Sequence, residues 1–275
     1  MPKLRCVYTD LKDHSKRTYF LLMVYNNYME LKFVISKQGL FITALLKNAD
    51  IKGWVDLQNT LWDKYRLGYQ LLQGNSYNVF ITETSQDVLE KAIEEVKLLM
   101  EEGMKTAEFN KLLQTAQEYK KWLENEWLIN KEKVEKELKE IIRTDLPKDI
   151  FTVYVMGNLV HIGRHLGDHK VVWGHKEDWP NYSLVYLAHE YLHSMFSYSD
   201  LDHAVIELIA DNELRIRLNQ GGEYFTCNGK DVGHDNLREL EKSMLPAWSA
   251  YLYNKSMDIR RFLVDQKAKI DNPEK

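Results

Sequence analysis

The sequence predicts an α+β fold, and three observations carry that expectation. Short runs rich in aromatic and β-branched residues alternate with amphipathic stretches. Turn signals such as Gly74-Asn75-Ser76 and Gly221-Gly222 separate them. Residues 107–142 repeat apolar positions at helical spacing with neither Pro nor Gly among them. The chain has 275 residues, of which 44% are hydrophobic, enough apolar material for a sizeable core.

In chain order, residues 17–24, 31–35, 41–46 and 77–82 read as strands. Between them Trp54, Leu57, Leu61, Trp62 and Tyr65 recur at helical spacing. Ser85 is placed to cap a helix whose apolar face is Val88, Ala92, Val96 and Leu99, with Gly103 as its stop. The 107–142 helix follows, its outer face a mixture of Lys and Glu that reads as solvated surface. After Pro147 the texture changes. Residues 151–156 and 170–174 read as strands, joined by His-rich turns that contain glycine. Helices are expected over about 180–197 and 201–218, with Pro180 in the first turn of the former. The tail over 235–267 reads as helical, restarting at Pro246. These changes divide the chain into an α+β N-terminal module at 1–84, a helical connector at 85–147 and a C-terminal domain at 148–275.

Composition narrows the function. The net charge of −4 gives no electrostatic footprint for nucleic acid. No run approaches the roughly 18 apolar residues of a membrane span. Two cysteines cannot make a disulfide framework, and no signal peptide is visible. A cytoplasmic setting is therefore expected.

Histidine is unevenly distributed. Seven of the nine histidines fall between positions 161 and 203. Two of them form His189-Glu190-Tyr191-Leu192-His193, an HExxH pattern. On a helix, residues i and i+4 share a face with side chains about 6 Å apart. His189 and His193 can offer two imidazoles to one metal, and Glu190 stands beside it as a base. Between residues 181 and 196 Glu190 is the lone charged residue apart from the histidines. A carboxylate on so apolar a helix needs a partner or a purpose.

A third ligand is required, and Glu207 is the expected one. Asp211, four residues on, would accept the second ring N–H of a ligand histidine. Asp200, His203 and Glu213 are rivals to Glu207. The alternative for Asp211 is an ion pair with Arg215. His161, His165 and His169 are also spaced by four, but Gly163 and Gly167 interrupt them, so turn or cleft positions are expected rather than a second metal site.

Together, HExxH followed by Glu207-x-x-Ala210-Asp211 resembles the gluzincin metallopeptidases, the thermolysin-like clan. The resemblance covers about residues 150–220. It implies a zincin-like helical catalytic domain with a small mixed sheet, holding Zn2+ through His189, His193 and Glu207. It implies Glu190 as general base, Asp211 as the outer carboxylate, and a peptide or protein as substrate. The clan commonly adds an oxyanion-stabilising Tyr or His, for which His234, Tyr224 and Tyr251 are open candidates. The strand near 171–174 is a candidate edge for pairing with an extended substrate. The sequence departs from the clan in the short gap of thirteen residues, 194–206, between His193 and Glu207. It also lacks the amine-anchoring motif of the aminopeptidase branch, which favours endopeptidase action. The alternative is a regulatory or partner-binding protein that retains a zincin domain without turnover. A closed structural zinc site is disfavoured by Glu190, a base that such a site does not need.

Overall fold

The computed structural model describes residues 29–74 and 86–271. The expected strands at 17–24 and 77–82, and the cap at Ser85, lie outside these residues. The first strand, β1 (Glu30–Val34), alternates exposed and buried positions. Three helices follow: α1 (Lys37–Lys47), α2 (Trp54–Lys64) and α3 (Arg66–Leu72). Next come α4 (Gln86–Gly103) and the long α5 (Ala107–Ile142), whose N-cap Thr106 accepts from the Phe109 N–H at 3.2 Å.

Residues 41–46, expected as a strand, are instead the middle of α1. Ser36 caps this helix by accepting from Gly39 N–H at 3.1 Å. Leu40, Phe41, Ala44 and Leu45 then fall on one face and are fully buried. That face meets Trp54, Leu61, Phe109, Leu112 and Ala116 in one apolar cluster. A continuous apolar run suits a buried helix as well as a strand, and tertiary packing decided between them.

Four strands make the main sheet in the order β1-β2-β4-β3. They are β1, β2 (Ile150–Val155), β3 (Ile162–Gly167) and β4 (Lys170–Gly174). β1 pairs parallel with β2, and β2 parallel with β4, while β3 runs antiparallel to β4 at the edge. β4, expected as the edge strand, is thus interior. The edge is β3, within the His-rich stretch expected to be turns. The hairpin turns at Asp168 and His169, both with positive φ (46° and 55°), a backbone whose twist suits a two-residue β-hairpin. The sheet draws its strands from both sides of the 85–147 segment, since β1 lies beside β2.

Phe151, Val153, Val155, Val171 and Trp173 point from the sheet into the larger core, with Leu123, Trp127 and Leu138 of α5. The same core receives α6 (Tyr182–Leu192), which is buried at every position except Tyr186. A helix apolar all round belongs in an interior. It begins just after Asn181, in left-handed conformation, and ends earlier than expected, with His193 as its C-cap. The reason lies in the next element. Ser199 caps α7 (Asp200–Glu207), accepting from Asp202 N–H at 3.1 Å, so the chain must turn within residues 194–199.

After Glu207 the expected continuous α-helix gives way to a π-helical segment, Leu208–Leu214, before α8 (Arg215–Asn219). The side chain of Asn212 donates to the Glu207 carbonyl at 3.1 Å, bracing the start of this segment. π segments are uncommon and often mark functional positions. A small hairpin, β5 (Thr226–Cys227) and β6 (Lys230–Asp231), leads into α9 (Arg238–Tyr253) and α10 (Ile259–Asp271). Pro246 lies inside α9 on its exposed side rather than at a restart. There the carbonyl it leaves without a donor can turn to water. Among the described residues no helix is long and apolar enough to cross a membrane.

Candidate metal centre

Two buried elements face each other at the centre of the C-terminal half: α6, which carries His189 and Glu190, and the α7–π segment, which carries Glu207 and Asp211. His189 Nδ1 lies 3.0 Å from Asp211 Oδ1. Burial opposes charge on His189, but the charge and hydrogen bond of Asp211 outweigh it and raise the imidazole to about 9. With Nδ1 engaged by Asp211, the opposite ring nitrogen of His189 is the one available to a ligand.

His193 stands one turn on, its ring centroid 5.0 Å from that of His189. Burial, then the charge on His189, lowers His193 to about 3. His203, on α7, closes the group with centroids 5.2 Å from His189 and 4.9 Å from His193. Burial and His189 lower it to about 4. These two rings are neutral near pH 7, the form in which imidazole binds a metal. One donor atom from each of His189, His193 and His203 lies within 4.8 Å of the other two.

Glu207 is fully buried but does not join that triad. It belongs to a second one, with His203 and His234. His234 N–H reaches both of its oxygens, at 3.1 and 3.0 Å, and His234 Nδ1 lies 2.5 Å from Oε1. His203 Nε2 is 3.6 Å from the same oxygen. Burial pushes Glu207 up, but the hydrogen bonds from His234 more than offset this and hold it below the ordinary carboxylate value. Gly233 makes the approach possible. A Cβ there would sit 2.3 Å from Glu207 Oε2, and its φ of +83° suits glycine.

Glu190 turns towards the edge strand. A Cβ on Gly163 of β3 would lie 3.5 Å from Glu190 Oε1 and 2.8 Å from the Trp173 ring, so glycine lets β3 run close over α6. Burial raises the Glu190 carboxyl, as suits a group that must hold a proton in mid-reaction. A cavity of about 200 Å3 opens beside it, bounded among others by His189, Gly233, His234 and Tyr186. Tyr186 is one turn before His189 on α6. Sequence reasoning missed it, although its i−3 position relative to His189 was a usable signal.

Other candidates stand elsewhere. Tyr224 donates its hydroxyl to Glu213 at 2.6 Å, and Tyr251 donates to the Ile141 carbonyl at 2.6 Å. Of the three oxyanion candidates, the one brought to the cavity is His234. Glu213 also pairs with Arg217 at 2.7 Å, and Asp200 is exposed in the first turn of α7. Arg215 bonds to the main chain of Asp211, its Nε donating to the carbonyl at 2.7 Å. His165 on β3 meets the Tyr198 hydroxyl at 2.9 Å and stacks 5.8 Å from His193. His161 contacts His175 instead, and His169 lies by Phe151. Among the described residues neither potential ligand triad includes His161, His165 or His169.

The donors fit a metal ion. His193 Nδ1, His203 Nε2 and Asp211 Oδ2 are buried without a hydrogen-bond partner, an arrangement costly to leave unmet. Three imidazoles converge at one triad, and a carboxylate joins His203 in the neighbouring one, donor chemistry that suits a divalent transition metal. In comparisons with known proteins, no family model, no curated protein and no solved structure matches the chain.

Proposed function

We propose that the protein is a zinc-dependent metallopeptidase, an endopeptidase acting on peptide or protein substrates. The observation that carries this reading is that His189 belongs both to the histidine group it forms with His193 and His203 and, beside the buried carboxyl of Glu190, to the lining of a cavity. His189 and His193 would hold the ion, and α7 would supply a further donor from Glu207 or His203. A bound zinc ion would supply Lewis-acid polarisation of the scissile carbonyl and acidify the attacking water.

The rest of the chemistry belongs to the chain's own side chains. The carboxylate of Glu190 takes the proton of the water and returns it to the leaving amine. Its burial raises the carboxyl and so favours the protonated form that the transfer passes through. Asp211 holds His189 in one tautomer through Nδ1. The hydrogen bond to Glu207 raises His234 above the ordinary imidazole value, favouring the protonated ring, which would donate from its other nitrogen to the oxygen that gains negative charge. β3 presents an edge beside Glu190, and an extended peptide would add to it as a strand. The two cysteines keep a reducing, cytoplasmic setting part of this reading.

The test is turnover. Purified protein would be assayed against a broad peptide library with and without a zinc chelator. Cleavage at internal bonds that stops with chelation and returns with zinc is expected. A fully metallated protein that cleaves nothing would replace this reading with that of a partner-binding protein.

A further inference from the structure

We infer that the third protein ligand of the ion is His203, and that Glu207 is a positioning residue that holds His234 rather than a ligand. The inference rests on the metal site proposed above and assigns its donors. It departs from the His189–His193–Glu207 set that the motif implies.

Four observations point the same way. The donor atoms of His189, His193 and His203 lie mutually within 4.8 Å, whereas Glu207 groups with His203 and His234 instead. The Glu207 carboxylate is already occupied: the main-chain N–H of His234 reaches both of its oxygens, and the His234 ring reaches one. It is also wedged against the backbone at Gly233, where not even a Cβ would fit. To ligate beside His189 and His193 it would have to move away from the His234 contacts that now hold both of its oxygens. His203, by contrast, has a buried Nε2 with no hydrogen-bond partner, and its ring faces those of both HExxH histidines.

The local chain explains the geometry. The connection at 194–199 is short, and Ser199 starts α7 at once. The first turn of α7 is therefore the part nearest the end of α6, where His193 sits. His203 falls in that first turn, and Glu207 one turn further along. Glu207 Oε1 then lies 2.5 Å from His234 Nδ1 but 3.6 Å from His203 Nε2, beyond hydrogen-bond reach, so that nitrogen stays open to a ligand. It fixes the cavity-side imidazole of His234 next to a three-histidine centre. Three imidazoles leave a fourth position open, as a catalytic zinc site requires.

The experiment compares wild type, His203→Ala, Glu207→Gln and His189→Ala/His193→Ala. Each is checked for folding by circular dichroism. Zinc affinity is read by competition with a chromogenic chelator, and coordination by the absorption spectrum of the Co2+-substituted protein. X-ray absorption of the zinc-loaded wild type counts imidazoles directly and needs no variant. Expected are three imidazoles in the wild type and a changed Co2+ spectrum in His203→Ala. The zinc affinity of His203→Ala should fall by more than the roughly 10–100-fold that loss of an outer partner costs. Glu207→Gln should keep the wild-type spectrum and lose no more than that range. Two imidazoles with a carboxylate, or a Glu207→Gln protein that loses the spectrum while His203→Ala retains it, would overturn the assignment while leaving the metallopeptidase reading in place. Loss of the ion from both single variants would also overturn it, by making Glu207 a fourth ligand. A wild type that binds no zinc would overturn both readings.

Discussion

His189 Nδ1 and Asp211 Oδ1 lie 3.0 Å apart, with both side chains closed to solvent. The contact joins α6 to the π-helical segment and determines which nitrogen of His189 is free. Replacing Asp211 with Asn removes the charge that orients the ring and strengthens it as a donor. Zinc affinity should fall about 10–100-fold, the usual effect of losing such a partner. Chelator competition measures it, and an unchanged affinity would mean that His189 is not held for a metal.

The same contact predicts proton release. His189, raised to about 9, carries a proton on each ring nitrogen in the metal-free protein at neutral pH. Binding an ion through the free nitrogen displaces one of them. About one proton should leave His189 per ion bound near pH 7, and this release should fade as pH rises through 9, where the ring is already neutral. Apparent affinity therefore rises with pH up to that point. At the acid end, protonation of His203 and His193, at about 4 and about 3, should abolish binding. Titration calorimetry in buffers of different ionisation heat counts the protons. No release near pH 7 would contradict a charged His189.

Glu190→Gln preserves size and removes the base. The variant should bind zinc like the wild type and lose hydrolysis by at least about 100-fold, the low end of what a general base contributes. Stoichiometry by elemental analysis and initial rates on a cleaved peptide test both halves. Retained hydrolysis would remove Glu190 from the mechanism.

Gly233→Ala should destabilise the fold by about 1–3 kcal/mol, because alanine is strained at a φ of +83° and its Cβ would meet Glu207. Urea denaturation reads the change. A loss below about 0.5 kcal/mol, the scale of an ordinary surface substitution, would show that the chain at 233 does not press on Glu207.

Much of the scaffold was legible as periodicity. The 107–142 helix, the strands at 151–156 and 170–174 and the stop at Gly103 depend on local spacing and local capping, which a single sequence displays. Residues 41–46 were not legible in this way. Their apolar run fits either a strand or a buried helix, and contact with Phe109 and Leu112 selects the helix. β3 was hidden because Gly163 and Gly167 weaken any strand signal, and Gly163 is there to let the strand approach Trp173 and Glu190. The π segment was equally invisible, since a widened turn has no distinct residue pattern.

At the candidate site, the HExxH spacing by itself determined that His189 and His193 share one end of a helix with Glu190 beside them, because helical geometry is local. Asp211 was likewise singled out by spacing. Whether His203 or Glu207 approaches those imidazoles was beyond the sequence, since both lie on one face of α7 a single turn apart. That choice depends on how tightly residues 194–199 turn, and on Gly233 and His234, which return from the far side of the hairpin to engage the Glu207 carboxylate. Contacts between residues 27 positions apart are set by the whole packed interior, and only the tertiary structure decided them.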